Sequence, residues 1–211
     1  MCIRDRHNII LIFDEVSAAF RINTGGLHLI HGVNPDMAVF GKSIGNGYPI
    51  GAVIGTKECM NAAQSTFISS TFFTEDVGFT AAIATITKHR NCDVGNHIKK
   101  QGEYFQKRIR EIGGETGIKI TVSGLPAFSA WSFDYNNGIS VKTLYVQKML
   151  ERKILAKNAF YLSYAHKRED IDFYLKNVQE IFTELGELIK SEEVESNLLG
   201  PTAHTGFKRL A

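Results

Sequence analysis

Two charged side chains stand where apolar runs stop abruptly. Ile9-Ile10-Leu11-Ile12-Phe13 ends in Asp14-Glu15, and Met37-Ala38-Val39-Phe40 ends in Gly41-Lys42. In open α/β sheets, ligand-binding groups collect at the carboxyl ends of strands, so Asp14 and Lys42 are expected to face one crevice. A carboxylate and a primary amine placed in this way suit a ligand with two polar poles. The amine can attack a carbonyl, and the carboxylate can hold a ring nitrogen protonated. Each residue alone has a plainer explanation, because Asp after a strand is commonly a turn residue and a lone Lys is commonly a solvated charge. The setting singles out Lys42. It lies between an apolar strand and a loop containing Gly45, Gly47 and Gly51, with Gly41 just before it, where backbone can approach a ligand closely. A lysine desolvated there is expected to be a good nucleophile.

The elements that must position these groups follow from the hydrophobic pattern. The run from Ile9 to Phe13 is continuous, β-branched and aromatic, the signature of a strand buried on both faces of a parallel sheet. Met37–Phe40 and Ala52–Ile54 read as two more strands of that sheet, the second following the turn-rich Gly45-Asn46-Gly47-Tyr48-Pro49. Small apolar residues from Val77 to about His89 predict a closely packed helix. Val94, Ile98, Phe105, Ile109 and Ile112 then step along one helical face, with Gly113-Gly114 expected as the stop. Beyond it, Ile118–Val122 and Phe128–Phe133 read as strands, Val141–Arg152 as a helix and Tyr161–Ala165 as a strand. A long amphipathic helix starts near Ile171, with Glu169 and Asp170 suited to its positive end. After Ser191 the periodicity fades, and a loosely attached tail is expected. The composition changes at about residue 92, which divides the chain into residues 1–92 and a smaller α+β unit, 93–211.

Composition narrows the function classes. The chain has 211 residues, 44% of them hydrophobic, enough for a real core. Its 24 Lys plus Arg against 22 Asp plus Glu give no electrostatic reason to capture nucleic acid or an anionic membrane, so a small molecule is the expected partner. Cys2, Cys59 and Cys92 are widely spaced, which argues against a disulfide framework or a zinc site and for reduced thiols in the cytoplasm. No apolar run reaches the length needed to span a bilayer. A nucleotide triphosphatase is a rival for the same residues, because Gly41-Lys42-Ser43 ends like a phosphate-binding loop. It fails because Asp36 stands where that loop needs glycine, and because the acidic strand comes first in the chain.

The lysine and carboxylate together match what pyridoxal phosphate requires: an amine for the Schiff base and an acid to keep the pyridine nitrogen protonated. LIFDEV at 11–16, the paired glycines at 25 and 26, PDMAVFGKSIGNGYPIGAVIG at 35–55 and YAHKREDID at 164–172 resemble class III pyridoxal-phosphate-dependent aminotransferases, with a flavour of glutamate-1-semialdehyde aminomutase. The resemblance extends to about Leu188 and implies an α/β fold, the type I fold of these transferases. The chain would supply the second part of the large domain and the small C-terminal domain of a cytoplasmic homodimer with a shared active site. It also implies that Lys42 forms the internal aldimine and moves the substrate proton, that Asp14 partners the pyridine nitrogen, and that Val16 packs on the ring. Thr71, assisted by Ser70, would reach the phosphate of the neighbouring subunit. The expected activity is amino transfer between an amino donor and a carbonyl acceptor, or an aminomutase shift, with no metal.

Phe72-Phe73-Thr74-Glu75-Asp76 departs from the small residues and Asn-Pro expected after that threonine in aminomutases, which leaves the substrate open. His166, in the YAH triplet, is expected to be a helix-start or packing residue rather than a base. The charged string at 2–8 runs straight into a buried-type strand, so the start is expected to be artificial or truncated. Family members carry roughly as much chain again before this point, including an aromatic residue over the ring and a phosphate loop. The contrasting expectation is a non-catalytic remnant that does not bind cofactor.

Overall fold

The computed structural model describes residues 3–204 and 206. Cys2 and residues 207–211 of the predicted tail lie outside the described residues. The chain divides into two compact units, residues 1–98 and 99–211.

In the first unit, α1 (Ile3–Arg6) leads into β1 (Ile12–Asp14), α2 (Leu27–His31), β2 (Met37–Phe40), β3 (Ala52–Gly55), α3 (Lys57–Asn61) and α4 (Asp76–Asn91). β1 pairs parallel with β2, Asp14 lying opposite Val39, and β2 pairs antiparallel with β3, Phe40 opposite Ala52. The three expected strands therefore form one sheet, in the order β1-β2-β3. Burial of β1 on both faces is not observed. Ile10, just before β1, and Ile12 are each 56% exposed, and within the strand only Phe13 packs against the core. That core is small: Ala19, Ala38, Phe40, Ile44 and Ala82 are buried, with Phe13, Phe20, Ile50 and Ile86 packed against them.

The second unit follows α5 (Val94–Thr116) with β4 (Ile120–Leu125), β5 (Phe128–Phe133), α6 (Gly138–Glu151), β6 (Ala159–Tyr161) and α7 (Arg168–Lys190). Its sheet is antiparallel in the order β4-β5-β6. Gly113-Gly114 does not stop α5, which continues to Thr116. The break comes at Gly117, whose φ of 72° is a conformation that a side chain would disfavour. Alternation along β5 buries Ser129, Trp131 and Phe133, while α5 contributes Phe105, Ile109 and Ile112. α7 buries Ile171, Leu175, Val178, Ile181, Phe182 and Leu185 at helical spacing. The final strand is Ala159–Tyr161, ahead of the expected Tyr161–Ala165, because Ser163–His166 turns to begin α7.

The tail is docked rather than loose. Val194 is buried, Gln147 of α6 bonds both Asn197 O (3.1 Å) and Leu199 N (2.9 Å), and Ala203 N donates to Thr143 Oγ1 at 3.0 Å. Such isolated polar contacts have no periodicity to read in sequence.

Candidate active site

Because β1 and β2 are parallel, their carboxyl ends open on the same edge of the sheet. Asp14 is the last residue of β1, and Lys42 follows the end of β2 by two positions. Both side chains are exposed. The expected desolvation of Lys42 is therefore not supplied by this chain. The Lys42 backbone has φ of 46°, in the left-handed region that costs a residue with a β-carbon about 1–2 kcal/mol. Unusual backbone of this kind is concentrated at functional sites. The following turn is closed by Gly45, where an added β-carbon would stand 2.2 Å from Tyr48 O.

Val16 lies beside this edge. Its N–H donates to Asp14 Oδ1 at 3.1 Å, and its Cγ1 is 3.3 Å from the point that a β-carbon on Gly41 would occupy. Arg21, Lys42, Ser43, Asn46 and Tyr48 line one open depression, and no acid lines it. Ser70 lines a different depression with Pro49, Ile50 and Phe79. Thr71 is exposed in the turn before α4. The structure thus brings Asp14, Val16 and Lys42 to one edge, while Ser70 lines a separate depression that shares Pro49 and Ile50 with that of Lys42, and Thr71 lines neither.

Several contacts of this edge escaped the sequence. Lys42 Nζ donates to Ser17 Oγ, and Arg21 Nε donates to Ser17 O at 2.6 Å. The segment carrying both is anchored twice. Glu15, 2% exposed, accepts at Oε1 from His28 N (2.9 Å) and His28 Nδ1 (3.1 Å). Burial pushes the Glu15 carboxyl up, but hydrogen bonds from the Leu27 and His28 backbone and the His28 ring outweigh it and leave the group below its ordinary range. His89 of α4 bonds Arg21 O through Nε2 (3.1 Å) and Thr24 Oγ1 through Nδ1 (2.8 Å). A carbonyl can only accept, so Nε2 carries the hydrogen and Nδ1 accepts from the threonine in the neutral ring. Burial lowers the His89 pKa, against the raising effect of the Arg21 and Phe20 carbonyls. These contacts join residues up to 68 apart, beyond any local pattern.

His166 has a structural setting: its Nδ1 bonds Ser163 N at 3.1 Å just before α7, and its ring packs on Phe160. Among the described residues, no three His, Cys, Asp or Glu side chains are grouped to hold a metal ion.

Residues 2–160 match the aminotransferase class-III family. The chain belongs to that family. It is 28% identical over 191 residues to 3-aminobutyryl-CoA aminotransferase of Cloacimonas acidaminovorans, covering 88% of this chain and 46% of that protein. It is 29% identical over 196 residues to glutamate-1-semialdehyde 2,1-aminomutase of Methanosphaera stadtmanae, covering 85% and 46%. Among solved structures, the FumI protein of Sphingopyxis sp. MTA144, in its PLP internal aldimine form, superposes with a TM-score of 0.82 at 22% identity, covering 89% of this chain and 46% of that one. The fold of this class-III chain is accordingly the mixed α/β type I fold of pyridoxal-phosphate transaminases. The chain spans about half the length of the relatives it matches. Class-III aminotransferases depend on pyridoxal phosphate, and the donor set at this edge fits that cofactor: a primary amine, a carboxylate and an apolar side chain beside them.

Proposed function

We propose that this chain carries the cofactor-attachment half of a pyridoxal-phosphate-dependent aminotransferase or aminomutase. The observation that carries the reading is the position of Asp14 and Lys42 at the carboxyl ends of adjacent parallel strands. The cofactor, when bound, supplies an electron sink for a substrate carbanion. In this reading Lys42 Nζ would be the group that holds the cofactor and would carry a proton to and from the substrate carbon. The Asp14 carboxylate would hold the ring nitrogen, and Val16 would offer an apolar contact for the ring. The substrates are a small amino donor and a carbonyl acceptor.

The first unit would be the C-terminal part of the large domain, and the second the small domain. Exposed Ser70 and Thr71 would serve the cofactor phosphate of a partner subunit in a homodimer. Exposed apolar side chains of the first unit, among them Ile54, Phe67 and Phe72, support an assembly that covers them. Free Cys59 and Cys92 are compatible with a reducing, cytoplasmic setting. Among the described residues no helix is long and apolar enough to cross a membrane.

The test is to add pyridoxal phosphate, reduce with borohydride and map peptides. A phosphopyridoxyl group on Lys42 is expected, and its appearance on a different lysine would overturn the assignment. Lys42→Ala should abolish the label.

A further inference from the structure

We propose that Ser17 is the positioning residue for the Lys42 amine, holding Nζ at the strand-end edge whenever it is not covalently engaged. The inference rests on the reading of Lys42 given above. Lys42 is exposed on a flexible side chain, and without a partner its amine would sample many rotamers. The hydrogen bond from Nζ to Ser17 Oγ selects one arrangement.

The acceptor itself is well fixed. Ser17 O is held by Arg21 Nε at 2.6 Å, and the N–H groups of Ala18 and Ala19 donate to Glu15 O at 3.1 and 2.9 Å. Ala19 is buried in the core of its unit, so the short turn bearing Ser17 cannot drift without disturbing packing. Glu15 and His89 anchor the same segment at two further points.

The chemistry of a hydroxyl suits the task better than a carboxylate would. An ammonium paired with a carboxylate is locked in its charged form, whereas a serine can accept from the ammonium and donate to the neutral amine. A lysine that must both attack a carbonyl and carry a proton passes through both states. Asp14 stands at the same strand-end edge, yet its Oδ1 accepts from Val16 N and Lys42 turns to the serine.

The test is competitive acylation of the 211-residue chain at one neutral pH with trace acetic anhydride, read by peptide mass spectrometry as Lys42 relative to exposed Lys57. The hydroxyl holds the amine against the turn and out of reach of the reagent, so Ser17→Ala should raise the Lys42 ratio about 3- to 10-fold. Ser17→Thr should restore the original ratio, and Ser17→Asp should push it below that of the unaltered chain. If Ser17→Ala loses its thermal transition, the order Thr above Asp decides the matter. Equal ratios in all variants would overturn the proposal while leaving the borohydride result intact. A phosphopyridoxyl label away from Lys42 would instead remove the underlying reading, and the positioning role with it.

Discussion

The two units differ in how completely each buries its own apolar surface. In the second, Phe105, Trp131, Tyr145 and Phe182 are all essentially inaccessible and meet ring to ring, Phe105 lying 4.4 Å from Phe160 in a stacked pair. Even its buried phenols are paired, Tyr145 Oη lying 2.8 Å from Tyr174 Oη. In the first unit the core is three alanines with Phe40 and Ile44 and a few half-buried partners, while Phe67 is 93% exposed. The lesson is that the unit bearing the candidate chemistry depends on polar anchors, namely Glu15 and His89, where the other depends on packing. Stability is accordingly expected to be uneven along the chain.

The contrast can be broken by mutation. Trp131→Ala should cost about 3–5 kcal/mol by denaturant unfolding, because it empties a tightly packed aromatic site. Ile54→Ala, on the exposed face of β3, should change stability by less than about 0.5 kcal/mol. Similar losses at both positions would remove the distinction.

A sharper probe is Glu15→Gln, which should cost about 2 kcal/mol near neutral pH by removing the charge that the His28 contacts satisfy. The sign follows from the lowered pKa of Glu15. Its stabilisation is complete above the ordinary value of 4.5 and disappears as pH falls through the lower folded value. The gap between the two proteins, followed by urea midpoints, should therefore close in acid. A gap that persists unchanged there would mean that the carboxylate is not the anchor.

Lys42→Gly should be about 1 kcal/mol more stable than Lys42→Ala, since only glycine relieves the left-handed backbone. Both should lose phosphopyridoxyl labelling. Equal thermal midpoints for the two would show that the backbone at this position is not strained.

The smallest expected effect lies at His89. Burial favours its neutral ring, so its contribution is present above the ordinary value of 6.5 and declines as pH falls through the lower folded value. His89→Gln should flatten that part of the stability profile, and an unchanged slope would exclude His89 as its source.

The strand ends bearing Asp14 and Lys42 were legible because abrupt apolar-to-charged transitions are local, as was the long apolar stripe of α7. The end of α5 was misread, because Gly113-Gly114 is tolerated inside a helix whose buried face supplies the stability. The short helices α1, α2 and α3 were missed, being too brief to develop a periodic pattern.

By itself, then, the sequence determined the strands and long helices and the family to which they belong, since periodicity and motif spacing act over a few residues. Only the tertiary structure decided that β1 is an edge strand, that the tail lies along α6, and that Ser17 meets Lys42. Those outcomes depend on contacts between residues far apart in the chain, which form only after the elements have packed.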